Sequence, residues 1–177
     1  MKCRVLVLGV LLCIGLRSSL AAGPKDKETK ADMLGAKNVF IGWVNLSPDE
    51  WSEWGYESKD EWTEVIKELN TEFQKDCQSK YLSDRRVAVA RDKNDEDLTG
   101  DDLYIKFSDV SIDRSYYGIR ASIHFIDPKT NTELGVIPAR TYYEKRWFKF
   151  QLYMQAALDE IGKKIQIEVM GTAPGKQ

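Results

Sequence analysis

The sequence predicts an α+β domain, a mixed sheet of about five strands with two long helices packed on one face. Three observations lead there. The stretch from Asp101 to Tyr143 divides into three alternating segments separated by turns, two long amphipathic segments flank it, and two short β-branched runs lie on either side of the first of these. Leu103, Ile105 and Phe107 alternate with Tyr104, Lys106 and Ser108, and Ile119, Ala121, Ile123 and Phe125 continue the pattern. One face of the sheet is therefore apolar, and the amphipathic segments are its natural cover.

The chain opens with a leader. Lys2 and Arg4 precede an apolar run from Val5 to Leu16, and Arg17, Ser18 and Ser19 lead into the small residues Ala21, Ala22 and Gly23. A charged start, a run of about a dozen apolar residues and a small-residue cleavage site make an export signal, read as residues 1–22. The run is short of the roughly 20 apolar residues that span a bilayer. An uncleaved N-terminal anchor is the alternative. Lipidation at Cys13 is disfavoured, because Leu12 stands where a small residue is wanted and the apolar run continues past it. The expected location is thus exported: the periplasm first, with an extracellular or outer-membrane-associated position as the alternative.

Removing Lys2, Arg4 and Arg17 with the leader leaves 23 basic against 28 acidic residues, a formal charge of minus 5. A nucleic-acid partner calls for a basic footprint, so none is expected. Cys77 is the sole cysteine beyond the leader, and no intramolecular disulfide can form there.

Residues 23–37 are polar and are read as a flexible tether, with a single domain over 38–170 and a disordered tail over 171–177. Asn38 to Leu46 (NVFIGWVNL) is apolar on both faces, the mark of an interior strand. Ser47, Pro48 and Glu50 then form a capping box for a short helix that Gly55 stops. Ser58 and Glu61 form a second box, which opens a long helix to about Tyr81 with Trp62, Val65, Ile66, Leu69, Phe73 and Cys77 on one stripe. Arg86 to Arg91 is a short strand after a helical crossover, hence parallel to the first.

An acidic loop, Asp92 to Asp102, leads into the three-strand stretch. Its spacing fails the calcium-loop pattern, since Asp97 and Leu103 stand where glycine and a bidentate glutamate are required. Asp127 to Thr132 is a turn in which Asn131 tolerates positive φ, and Pro138 marks the last strand as an edge. A second long helix starts near Lys145. Its end is open: Gly162 is a candidate stop, and Ile165, Ile167 and Val169 also alternate as a strand would.

No catalytic constellation emerges from spacing. His124 is the lone histidine, which excludes multi-histidine zinc sites, and no G-x-S-x-G elbow is present. Gly171 to Lys176 (GTAPGK) falls one residue short of a phosphate loop. No cofactor, no metal and no enzymatic activity are expected. The aromatics offer the one candidate surface: Trp51, Trp54 and Tyr56, with Tyr142, Tyr143 and Trp147, could stack on a glycan or a peptide. The alternative is that they cap the core.

Two local patterns carry a resemblance. Asp101 to Ile105 (DDLYI) resembles an acidic-apolar strand opening, and Phe125 to Leu134 (FIDPKTNTEL) a strand, aspartate turn and return strand, with Asn131 where glycine is usual. With the order of elements, these resemble the small periplasmic α/β domains of bacterial envelope lipoproteins, related to the N-terminal domain of TolB and the curli-export lipoprotein. The resemblance spans about Asn38 to Val169. It implies a non-catalytic envelope domain acting in protein-protein interaction or assembly, with an envelope protein or a surface glycan as partner.

Overall fold

The computed structural model describes residues 30, 32–46, 52, 54–95, 98, 100–113, 117–143 and 150–171. Five strands form one mixed sheet: β1 (Asn38–Ile41), β2 (Arg86–Val89), β3 (Leu103–Asp113), β4 (Gly118–Asp127) and β5 (Thr132–Arg140), in spatial order β2-β1-β3-β4-β5. β1 runs parallel to both β2 and β3, while β3, β4 and β5 form an antiparallel meander. Two helices, α1 (Lys59–Asp76) and α2 (Phe150–Met170), cover one face. The expected α+β architecture is the observed one.

The pleat explains the layering. Val39 and Ile41, Leu103, Ile105 and Phe107, and Ile119, Ala121, Ile123 and Phe125 share the helix-covered face and join one core with Trp62, Leu69, Phe73, Met154, Leu158, Ile161 and Ile165. The opposite face carries a smaller cluster of Phe40, Tyr104 and Ala90, with Trp43, Leu98 and Ile126 packed against it.

α1 opens as its sequence dictates. Ser58 Oγ accepts from the Glu61 N–H at 3.1 Å, and Glu61 reaches back to the Glu57 N–H at 2.9 Å. Beyond Asp76 the helix widens into a π-helical turn over Cys77–Tyr81, with Cys77 fully buried. Burial, then the nearby Asp76, pushes the Cys77 thiol far above its ordinary range.

Four expectations need adjustment. The strand expected over Asn38 to Leu46 keeps its ladder only to Ile41. Residues 32–35, placed by sequence in the tether, are helical; Met33 and Ala36 enter the core, and Arg85 donates to the Ala36 and Leu34 carbonyls at 2.5 and 3.0 Å. Gly162 lies inside α2 rather than at its end, because the Tyr81 ring occupies the space its Cβ would take. Residues 165–169 are helical, with Ile165 and Val169 buried and Ile167 facing solvent, so the apparent alternation is one phase of a helix. The Gly171 N–H closes α2 onto the Ile167 carbonyl at 2.9 Å, with φ of 67°.

Asn131 sits at φ 53°, as its turn requires, and Pro138 lies on the edge strand β5 opposite Ser122. Residues 1–29 with the leader, most of 47–53 with the first capping box, and the tail over 172–177 lie outside the described residues.

Candidate functional site

Parallel strands direct a ligand to their carboxyl ends, where successive connections diverge. β1 and β2 end at Ile41 and Val89, and in the segments leaving them Val44 and Ala90 stay buried, so their backbone groups need partners. Two amides four apart on α1, Asn70 and Gln74, supply them, and a third, Gln78 in the π-helical turn, binds β2 itself. Asn70, wholly buried, accepts from the Val44 N–H at 2.8 Å and donates to the Val44 carbonyl at 3.1 Å and the Ile66 carbonyl at 3.0 Å. Gln74 donates to the Ala90 carbonyl at 2.8 Å and Gln78 to the Val87 carbonyl at 3.1 Å. Asn70 thus stands in for a neighbouring strand, which is why the β1 ladder can stop early.

Held in this way, the two segments and the first half of α1 enclose a cleft of about 560 Å³ lined by Trp43, Asn45, Leu46, Trp62, Thr63 and Ile66, with a charged rim. Four cations, Lys59, Lys67, Arg91 and Lys93, face one carboxylate, Asp92. Lys67 has Glu64 at 3.7 Å and Arg91 has Asp95 at 2.8 Å, so the rim is partly neutralised. The rim is still net positive on an acidic chain, and the positive end of α1 lies beside it. Trp43 supplies a half-buried indole that touches both core clusters.

A second groove, of about 600 Å³, runs between α1 and α2 and is rimmed by Glu72, Asp76, Asp159 and Glu160. Its carboxylates are largely consumed by the fold. Asp159 accepts from Tyr81 and Lys80 and pairs with Lys163 at 2.7 Å, and Gln155 donates to Glu72. Burial, the largest influence on Asp159, would raise its pKa, but the hydrogen bonds from Lys163, Lys80 and Tyr81 together hold it well below the usual range. This groove is a stitched helix seam.

Of the six aromatic residues expected to form one surface, four lie among the described residues. Trp54 packs on Phe150 and Tyr117 with ring centroids at 4.8 and 5.7 Å, and Tyr56 on Trp62 and Phe150 at 5.2 and 5.9 Å. Both cap the end of the core, and burial, then Glu61 and Glu68, raises the Tyr56 pKa. Tyr143 lines the helix seam and donates to the Ala156 carbonyl at 2.7 Å, while Tyr142 stands half exposed. Trp51 and Trp147 lie outside the described residues. The cleft carries Trp43 beside the buried Trp62, and spacing alone did not single out Trp43; the signal for its setting is the Asn70, Gln74, Gln78 row.

His124 is more than a lone sheet-face residue. Its Nε2 lies 2.8 Å from Ser108 Oγ and its Nδ1 2.6 Å from Glu133 Oε2. Among the described residues no three His, Cys, Asp or Glu side chains converge as a metal site, and no helix is long and apolar enough to cross a membrane. Compared with protein-family models, curated proteins and solved structures, the chain shows no match.

Proposed function

We propose that the protein is an exported interaction domain of the cell envelope whose strand-end cleft holds an acidic, partly apolar segment of a partner protein. The observation that carries this reading is the cleft itself, an apolar floor with Trp43 beneath four cations and one carboxylate. A segment alternating acidic and aromatic side chains matches both features: the carboxylates meet the rim, and the apolar groups displace water from the floor. A neutral glycan would leave the rim charges without a role, and the packing of Trp54 and Tyr56 against Phe150 and Trp62 favours the peptide over it. The leader and the resemblance to small envelope domains support an envelope location.

The test uses a fluorescein-labelled peptide of alternating Glu and Phe, titrated with the full-length protein by anisotropy. Saturable binding is expected to weaken by about tenfold on raising salt from low to physiological strength and beyond, as a Debye length near 10 Å at 0.1 M implies. Trp43→Ala should weaken it further. Binding indifferent to both salt and Trp43→Ala would sink the reading.

A further inference from the structure

We propose that Ser108 is a histidine-activated nucleophile that accepts an acyl or phosphonyl group from small, neutral, activated esters. This reactivity goes beyond the binding reading and shares no residue with the cleft. It lies on the uncovered face of the meander, with one member on each of three successive strands: Ser108 on β3, His124 on β4 and Glu133 on β5.

Strand register brings them together, and two irregularities complete the set. In a regular continuation from Gly135 opposite Phe125, Leu134 would face Ile126 and stand beside His124. The shift between Phe125 and Ile126 places Glu133 there instead. A second shift, between Ser108 and Ser111, inserts an extra residue immediately after Ser108 and puts Asp109 at φ 52°, a region that side-chain-bearing residues seldom occupy. Each irregularity therefore adjoins one member of the array. Bulges in that position re-aim side chains.

The roles follow from one tautomer of His124 and one rotation of the Ser108 hydroxyl, which otherwise donates to Asp109 at 2.9 Å. With its Nδ1–H donated to Glu133, His124 presents a bare Nε2 to the Ser108 hydroxyl. As Oγ adds to an ester carbonyl carbon, its proton passes to Nε2, and Glu133 stabilises the imidazolium that forms. The tetrahedral adduct then expels the alkoxide, which leaves as alcohol with the proton from Nε2. Ser108 is left acylated, and water repeats the sequence to release the acid. Lys106 stands directly opposite His124 in register on the same face. Glu133 and Asp109, the latter 2.9 Å from Ser108 Oγ, set the substrate class: two carboxylates beside the nucleophile repel anionic esters and leave neutral ones.

The competing arrangement is a surface hydrogen-bond network in which Ser108 donates to Asp109 and is inert. A neutral alkyl fluorophosphonate carrying biotin separates the two. Attack by Oγ forms the O–P bond and breaks the P–F bond, and fluoride departs while the proton goes to Nε2. Full-length protein is treated with the probe and the adduct is mapped by mass spectrometry. The expected result is a single adduct on Ser108. His124→Gln should slow it about a hundredfold and Glu133→Gln about tenfold, with urea midpoints confirming that each variant is folded. No adduct on Ser108 overturns the proposal, as does an adduct that forms equally fast in His124→Gln.

Discussion

Asn70 holds both backbone groups of Val44, accepting from its N–H at 2.8 Å and donating to its carbonyl at 3.1 Å, so that a side chain of α1 completes the ladder β1 leaves unfinished. The pair is buried throughout, and Val44 lies between Trp43 and Asn45, which line the cleft. Asn70→Leu keeps the volume and strands two buried polar groups. Each costs about 1–3 kcal/mol unsatisfied, so a loss of about 3 kcal/mol in urea unfolding is expected. Because Val44 neighbours Trp43, peptide binding should weaken even at temperatures where the variant remains folded. An unchanged urea midpoint would contradict the role given to Asn70.

The Tyr81 ring lies over Gly162, where an added Cβ would come within 2.3 Å of a ring carbon. The π-helical turn carries Tyr81 to that place, and its hydroxyl donates to Asp159 one turn away on α2. Gly162→Ala should destabilise by about 2 kcal/mol through overpacking despite the better helix propensity of alanine. Combined with Tyr81→Leu, the double variant should be more stable than the sum of the single losses by about 1 kcal/mol. Strict additivity would show that the ring and the glycine do not meet.

Asp102 links the start of β1 to the β4–β5 turn. Lys129 donates to it at 3.0 Å, and the Asn38 N–H and side-chain amide at 3.1 and 2.9 Å. The Lys129 ammonium, then the Asn38 N–H, depress its pKa to about 2 from an ordinary 3.8. A carboxylate with a lowered folded pKa contributes stability above its unfolded value and loses it as pH falls through the folded one. Its share should therefore fade between about pH 4 and about pH 2. Asp102→Asn should be less stable than the parent at neutral pH and should converge on it across that window. Parallel stability curves across the same window would count against the linkage.

Cys77 is wholly buried in the π-helical turn that follows α1, and its thiol is held protonated by burial and by Asp76. Thiolate is the reactive form, so modification must await opening of the helix. Mapped by mass spectrometry, alkylation of Cys77 should be at least about a hundredfold slower in buffer than in denaturing urea. Equal rates would place Cys77 outside the core.

The sheet and its cover were legible because alternation in Leu103–Phe107 and Ile119–Phe125 and the 3.6-residue stripe from Trp62 to Cys77 are local signals. Features that depend on contacts between distant residues were not. Nothing near Gly162 in sequence announces Tyr81, and the run to Leu46 reads as strand because its partner, Asn70, is a helix side chain. The Ser108, His124 and Glu133 array escaped notice for a related reason. Glu133 joins the histidine's face through a one-residue register shift, and by strict alternation Leu134 would stand there. The aromatics illustrate the same limit, since clustering in sequence says nothing of whether Trp54 and Tyr56 face solvent or Phe150.

The central claim, that the strand-end cleft selects acidic segments by charge, is tested most directly by reversing its rim. Lys59→Glu combined with Lys93→Glu changes two exposed residues that line the cleft and leaves the core untouched. Dissociation constants are measured side by side for the Glu-Phe peptide and for its Lys-Phe counterpart. The parent should prefer the acidic peptide, and the double variant should lose at least about tenfold in affinity for it, some 1.4 kcal/mol, while gaining for the basic one. An acidic-peptide affinity unchanged by the double reversal would contradict the account.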